Sequence, residues 1–458
     1  MKSMKLLAPL LALGAVVALS AQNPPAQQQP SQPSSIGVVI GSGDPKSPPR
    51  MAVPEFIPLG KEPEVVSAAK TIADVLWDDL SYEKEFYMIP RDILRSIPRP
   101  ASVEQVPLDR WKEVNAEGLV VGTVRKTSDG VVVELRLINV ATGAQLIGKQ
   151  YSGSARSVID GGRVFAHGIA DEIHKTQRNL RGVARTSLAF SSDRDGVRMK
   201  GPVGDRDVSN IYRSDYDGAN QTRMTVNRSI DIAPAWSPDG EFLAYTTYRT
   251  GYPDIVLQSL RTMRPPTTPA RGTIEHQNFL PAWSPDGSML AFMSNRDGNM
   301  EIYTVGRDGG NLRRITNNPA ADATPTWSPT GTQLAFTSDR GGREQVYIVN
   351  LDGTGLERIS IDGKADRATW GPLNEIAYAS QSGGGYDIKI FSFATRETRT
   401  ITDGIGSNES PAFAPNGRHI AFWSDRSGKP QVYTIARDGT DLRQITKVGS
   451  NRYPGWSQ

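Results

Sequence analysis

One short pattern governs what this chain can fold into. It reads Trp236-Ser237-Pro238-Asp239-Gly240, followed by the apolar triplet Leu243-Ala244-Tyr245. It returns at Trp283-Ser284-Pro285-Asp286-Gly287 with Leu290-Ala291-Phe292, and at Trp327-Ser328-Pro329-Thr330-Gly331 with Leu334-Ala335-Phe336. Weaker copies stand at Trp370-Gly371-Pro372 and Phe413-Ala414-Pro415-Asn416-Gly417, and Trp456-Ser457 ends the sequence. Copies lie 43 to 47 residues apart, the repeat of a four-stranded propeller blade. Within each copy Pro presets the second position of a β-turn, and Gly accepts the positive φ that reverses the chain. The apolar triplet then makes the middle of a strand. A second strand follows at a constant offset (Ile255, Ile302, Val346, Ile388, Val432), and Asp-Gly pairs at 217, 308, 352 and 438 mark a second hairpin. The repeat closes on Ile-Thr or a near match, as at Ile315-Thr316 and Ile445-Thr446.

Leu188-Ala189-Phe190 is a triplet with no Trp-Ser-Pro before it, and Trp456 is a token with no triplet after it. The two orphans complete one another if the last strand pairs into the first blade. That predicts an all-β six-bladed propeller over residues 185–458, closed by its C-terminal strand and free of open edges.

Residues 36–180 predict a separate α/β domain. Strands are expected at 36–40, 51–57, 86–89, 119–124, 131–140 and 145–151. A helix over 63–80 carries Val65, Ala69, Ile72, Ala73, Leu76 and Leu80 on one face, with Pro63 in its first turn. A second helix running to about residue 177 is expected to open on a capping box of Ser157 and Asp160, with Ile159, Phe165, Ile169 and Ile173 facing inward. Ahead of this domain, residues 1–21 read as a secretory signal: Lys2 and Lys5, an apolar run too short to span a membrane, and small residues at 18–21. Residues 22–35, rich in Pro and Gln, read as an extended linker.

Composition narrows the function. The formal net charge of +3 gives no electrostatic footprint for nucleic acid or an anionic membrane. With no cysteine there is no disulfide, thiolate nucleophile, Cys-bound metal or lipoprotein anchor. No Gly-x-Ser-x-Gly elbow and no phosphate-binding Gly-x-x-x-x-Gly-Lys-Ser/Thr loop occurs. The chain has four histidines. His167 and His174 are seven apart on their helix, not the four that clamp zinc, so both read as surface or packing residues; His276 falls in a loop and His419 in a strand. No catalytic, cofactor-binding or metal-ligating residue is assigned.

One polar motif repeats beside the apolar triplet: Ser192-Asp193-Arg194, Ser294-Asn295-Arg296, Ser338-Asp339-Arg340 and Ser424-Asp425-Arg426. Asp there locks a turn. Strand alternation puts these turns and the between-blade loops on one face, around the channel mouth, where a ring of Arg and Asp makes a docking surface. Extra residues 197–207 in the first blade's turn are expected to reshape that mouth.

Pro-Ala-Trp-Ser-Pro-Asp-Gly with Leu-Ala-Phe-x-Ser-Asn-Arg-Asp-Gly and Glu-Ile-Tyr, the closing Tyr453-Pro454-Gly455-Trp456-Ser457, and the junction segments Ala166-His167-Gly168-Ile169 and Gly182-Val183-Ala184-Arg185-Thr186 together resemble the TolB family, periplasmic propellers of the Tol–Pal system. The resemblance covers nearly all of the chain after residue 21. It implies a non-enzymatic scaffold in the periplasm, monomeric and not inserted in the membrane, that maintains outer-membrane integrity and supports cell division. Its implied partners are the peptidoglycan-associated lipoprotein Pal at the propeller mouth and the inner-membrane protein TolA through the mature N-terminal segment. At that segment a Pro/Gln tract replaces the family's short strand-like start. Carried over by position, the Pal-facing residues are Arg194, Asn278, Arg296, Asp322, Asp339, Arg340, Asn408, Asp425 and Arg426. The alternative is a propeller enzyme acting on oligosaccharide, which needs metal ligands and bases converging in the channel.

Overall fold

The computed structural model describes residues 40, 47–154, 162–200, 205–262, 264–361 and 363–458. The signal, the linker, all but the last residue of the first expected strand, and the Ser157, Ile159 and Asp160 positions lie outside the described residues.

In the α/β domain six strands form one sheet: β1 (Arg50–Ala52), β2 (Ile57–Pro58), β3 (Tyr87–Met88), β4 (Gly118–Thr127), β5 (Gly130–Asn139) and β6 (Gln145–Ser154), in the order β3-β1-β4-β5-β6 with β2 also on β4. The single strand expected over 51–57 is two strands, because the intervening Pro54 has no N–H for the ladder. Helix α1 (Pro63–Tyr82) buries Val65, Ala69, Ile72, Ala73, Leu76 and Leu80, all six of the predicted face. Beside it the junction helix (Arg163–Arg178) buries Phe165, Ile169 and Ile173. Gly162, at φ 79°, stands at its N-cap. The opposite side of the sheet is covered by two short helices, Arg91–Ser96 and Leu108–Glu113, through Leu94 and Trp111.

The propeller closes as predicted. The last strand (Asn451–Trp456) pairs with Ser187–Ser192, with Asn451 opposite Ser192 and Trp456 opposite Leu188. Among the described residues five blades have four strands and the second has three. There the fourth position is a single bridge between Leu257 and Thr267, since Pro265, Pro266 and Pro269 cannot donate to a ladder. Residues Arg198–Met199 and Arg206–Asp207 of the first blade's insertion pair as a small hairpin.

The Trp tokens of blades two, three and four each latch a blade to its neighbour, whereas Trp370 Nε1 donates to Asn374 Oδ1 of its own blade at 2.9 Å. Trp236 Nε1 donates to the Gly455 carbonyl at 3.1 Å, Trp283 to Ala235 at 3.0 Å and Trp327 to Ala282 at 3.1 Å. Trp456 Nε1 donates to Thr186 Oγ1 at 2.7 Å, fastening the chain's end to the start of the propeller. In the following turn the Ser hydroxyl accepts the backbone N–H five residues on, as Ser284 Oγ does from Met289 at 2.9 Å. Asp239 and Asp286 accept hydrogen bonds within these same turns, from Ser237 and Ser284.

Every innermost strand also carries one left-handed residue at its third position: Ala233, Leu280, Thr324, Arg367, Ser410 and Tyr453, at φ 50 to 55°. A bulge accompanies each. These strands surround an axial cavity of about 450 Å³ lined by Trp and Pro side chains. Arg367 lies 4.8 Å above the ring of Tyr453, two blades away.

Candidate docking face

The two faces of the propeller differ in what occupies them. On the face of the Trp-Ser-Pro turns, the α/β domain packs against blades one and six. Asn416 donates to Glu83 Oε1 at 2.8 Å, Arg418 pairs with Glu85 at 2.7 Å and Lys84 donates to Thr440 at 2.6 Å. The His419 ring stacks on Tyr82 at 3.9 Å. On blade one, Arg163 pairs with Asp217, and buried Asp79 accepts from both His167 Nδ1 at 2.8 Å and Tyr216 at 2.7 Å.

All four histidine positions are now placed: His167, His174 and His419 are buried, and His276 is exposed in its loop. Burial works to lower the His167 pKa, but the carboxylates of Asp215 and Asp79 push it up to about 9. Burial holds His174 and His419 neutral, at about 4 and about 3. Desolvation raises Glu83 to about 7 against the pull of Asn416 and Arg418. Among the described residues no group of three or more His, Asp or Glu is arranged to hold a metal, and no helix is long and apolar enough to cross a membrane.

The opposite face gathers the Ser-Asp-Arg turns and the between-blade loops. In each Ser-Asp-Arg turn the glycine that follows (Gly196, Gly298, Gly342, Gly428) has positive φ and donates back to the Asp or Asn carbonyl. That geometry folds the arginine over its own blade. The Nε of Arg194, Arg296, Arg340 and Arg426 donates to the motif's own serine at 2.9 to 3.2 Å. Their Nη2 atoms reach the first residue of the innermost strand: Asn451, Asn278, Asp322 and Asn408, at 2.7 to 2.9 Å. Each guanidinium also lies over a blade aromatic, with Arg194 4.4 Å from Tyr212 and Arg426 5.5 Å from Tyr433.

All nine residues singled out in the sequence therefore sit on one face, at three depths. Asn278, Asp322 and Asn408 are fully buried. Burial raises the carboxyl of Asp322, and Arg340 acts against that rise. The four arginines are partly buried and hydrogen-bonded within the blade. Asp339 and Asp425 are exposed, although one carboxylate oxygen of each accepts a backbone N–H from the preceding loop, Ala321 at 2.9 Å and Ser407 at 2.7 Å. In blade two Arg249 follows Thr247 at the same place and is exposed, and in blade five the place is taken by Ser382.

Sequence reasoning missed the apolar residues of this face. Val226, Ile274, Ile361, Ile405 and Val448 stand in five of the six between-blade loops and are 55 to 73% exposed. A signal was present: an aliphatic two to four residues beyond the closing position of the repeat, where only a solvated loop follows. At the blade three to four connection that place is taken by Asn317-Asn318.

Family comparison covers both domains. A model of the TolB β-propeller domain matches residues 180–375 and 368–458, and one of the TolB amino-terminal domain matches residues 37–146. A Tol-Pal system protein TolB from Desulfosudis oleivorans is 34% identical over 58% of this chain and 57% of its own length. One from Dinoroseobacter shibae is 34% identical over 65% of this chain and 64% of its own. The match thus spans less than two thirds of these curated relatives. The crystal structure of TolB from Acinetobacter baumannii superposes over 89% of this chain and 96% of its own with a TM-score of 0.70, at 22% identity.

Proposed function

We propose that this chain, which belongs to the TolB family, is a non-enzymatic docking platform of the Tol–Pal system in the periplasm. A Pal-type lipoprotein binds the face of the Ser-Asp-Arg turns. A TolA-like inner-membrane protein is contacted through the segment ahead of residue 40, outside the described residues. Through these contacts the protein maintains outer-membrane integrity and supports cell division.

One observation carries the reading. The α/β domain occupies the Trp-Ser-Pro face at blades one and six, while the opposite face keeps its loops, Asp339 and Asp425 available to a partner. Asp339 and Asp425 are the direct polar contacts. The four arginines and the buried Asn278, Asp322 and Asn408 act from beneath, holding the turns and loops in place.

The chain has no cysteine, so a single introduced one is a unique handle. Ser427→Cys on the proposed face and Ser288→Cys in a Trp-Ser-Pro turn are both exposed positions. With the soluble domain of the organism's peptidoglycan-associated lipoprotein added, maleimide labelling at 427 is expected to slow and labelling at 288 to stay unchanged. Equal labelling at both, with and without the lipoprotein, would overturn the assignment of the face.

A further inference from the structure

We propose that the binding energy of this face comes from a crown of aliphatic side chains on the between-blade loops, and that the Ser-Asp-Arg arginines position the crown rather than touch the partner. The inference rests on the docking reading above and names the residues that carry it.

Two facts argue for the crown. First, Val226, Ile274, Ile361, Ile405 and Val448 share one face although they belong to five different loops. Loops carry polar residues by default, and a single exposed aliphatic needs no explanation. Five in equivalent loops, all directed to the face that the α/β domain leaves free, make a distributed apolar surface of the kind that marks an interface. Second, the hydrogen bonds beneath them run toward the loops. Arg426 donates to Asn408 Oδ1 at 2.9 Å, and Asn408 Nδ2 lies 3.4 Å from the carbonyl oxygen of Ile405. Likewise Arg194 donates to Asn451 Oδ1 at 2.9 Å, and Asn451 Nδ2 donates to the carbonyl of Val448 at 2.9 Å. A buried asparagine thus holds the main chain of Ile405 and of Val448 inward, and these side chains are left projecting outward.

The arginines themselves have little left to offer a partner. Each uses Nε and Nη2 within its own blade and spreads its plane over an aromatic ring. The chemistry of the crown fits a folded protein surface with apolar patches around a polar centre. A lipid surface fits less well, because the charges interleaved with the aliphatics are of both signs: Arg228, Glu275, Lys364, Asp403 and Lys447. Membrane-binding faces gather Lys and Arg and anchor with Trp or Tyr.

The test compares the full mature protein with an Ile405→Ser/Val448→Ser double variant, using the soluble domain of the organism's peptidoglycan-associated lipoprotein as probe in calorimetric titration. Both positions are exposed, so the melting temperature should not move. The Kd is expected to rise about tenfold or more, the effect of losing an apolar anchor at an interface. An Asn408→Ala variant, which frees the Ile405 loop without touching the surface, is expected to weaken binding by a smaller factor and to be worsened little by adding Ile405→Ser. If the unchanged protein binds and the double variant binds within about twofold of it, the crown is overturned and the docking reading survives. If the unchanged protein does not bind, both fall. Binding of the unchanged protein to anionic vesicles, lost in the double variant, would overturn the protein partner in favour of a lipid surface.

Discussion

The two faces of this propeller are built from the same repeat and spend its polar residues in opposite ways. On the Trp-Ser-Pro face, polar side chains from two domains meet across a buried seam: Asp79 with Tyr216, Glu83 with Arg418, Tyr82 against His419. On the Ser-Asp-Arg face, each motif arginine is bonded within its own blade and the aliphatic side chains of the between-blade loops stand in solvent. Polar groups that join two bodies make a permanent contact, because separating them strands buried charge. Polar groups closed on themselves leave the surface to non-polar contact, which is reversible and costs little when unmade. One face is built for attachment, and the other is the one we propose for docking.

The largest expected effect breaks the ring itself. Trp456→Ala should cost about 3–5 kcal/mol, as for other large buried aromatics, and deleting residues 452–458 should unzip the first blade. Thermal unfolding measures both, and a melting temperature unchanged by either would contradict closure. Next come the arginines of the docking face. Arg340→Ala leaves Asp322 buried and unpaired and should cost about 3–5 kcal/mol. Arg296→Ala leaves a neutral Asn278 and should cost about 1–3 kcal/mol. Chemical denaturation of the pair separates the two values, and equal losses would argue that the charge of Asp322 adds nothing to the role of its arginine. For the same reason, reversing both charges perturbs the fold before it tests the surface.

The seam can be probed by pH. His167 has a raised pKa, so its contribution is complete below the unfolded value near 6.5 and fades as pH climbs toward about 9. His174 and His419 are depressed, so their contribution is complete above that unfolded value and is lost on acidification toward about 4 and about 3. Glu83, raised to about 7, adds a further loss as pH rises from its unfolded value. Melting temperature should therefore peak near neutrality. His167→Gln should flatten the alkaline limb, and an alkaline limb unchanged in that variant would remove His167 from the account. The smallest effect belongs to the crown: Ile405→Ser and Val448→Ser should each shift stability by less than about 0.5 kcal/mol. A larger loss would mean these side chains are packed rather than presented.

Much of this architecture could be read before any coordinates. The Trp-Ser-Pro token and the two orphan halves of a repeat, Leu188 and Trp456, dictate the ring and its closure because an unclosed blade leaves strand edges unpaired. The predicted apolar face of α1 is buried residue for residue. Local chemistry explains the misses. Pro54 splits a strand and Pro265, Pro266 and Pro269 remove another, each through a missing N–H. The left-handed residues of the inner strands, Leu280 and Thr324 among them, follow from bulges that only the closed ring demands. His167 and His419 gave no periodic signal, since their partners Asp79, Asp215 and Tyr82 lie in other elements. Arginine in a repeated turn reads as a surface charge, and only the fold reveals that it bends back over its own blade. The aliphatics of the crown sit outside the repeat's apolar period, where sequence patterns are usually discarded as loop.

Hydrogen–deuterium exchange of the mature protein, alone and with the soluble domain of the lipoprotein, tests most directly which face docks. Protection is predicted in the loops around residues 226, 274, 361, 405 and 448, with the Trp-Ser-Pro turns at 238, 285 and 329 unaffected. Protection confined to those turns, with the loops exchanging as in the free protein, would contradict the account.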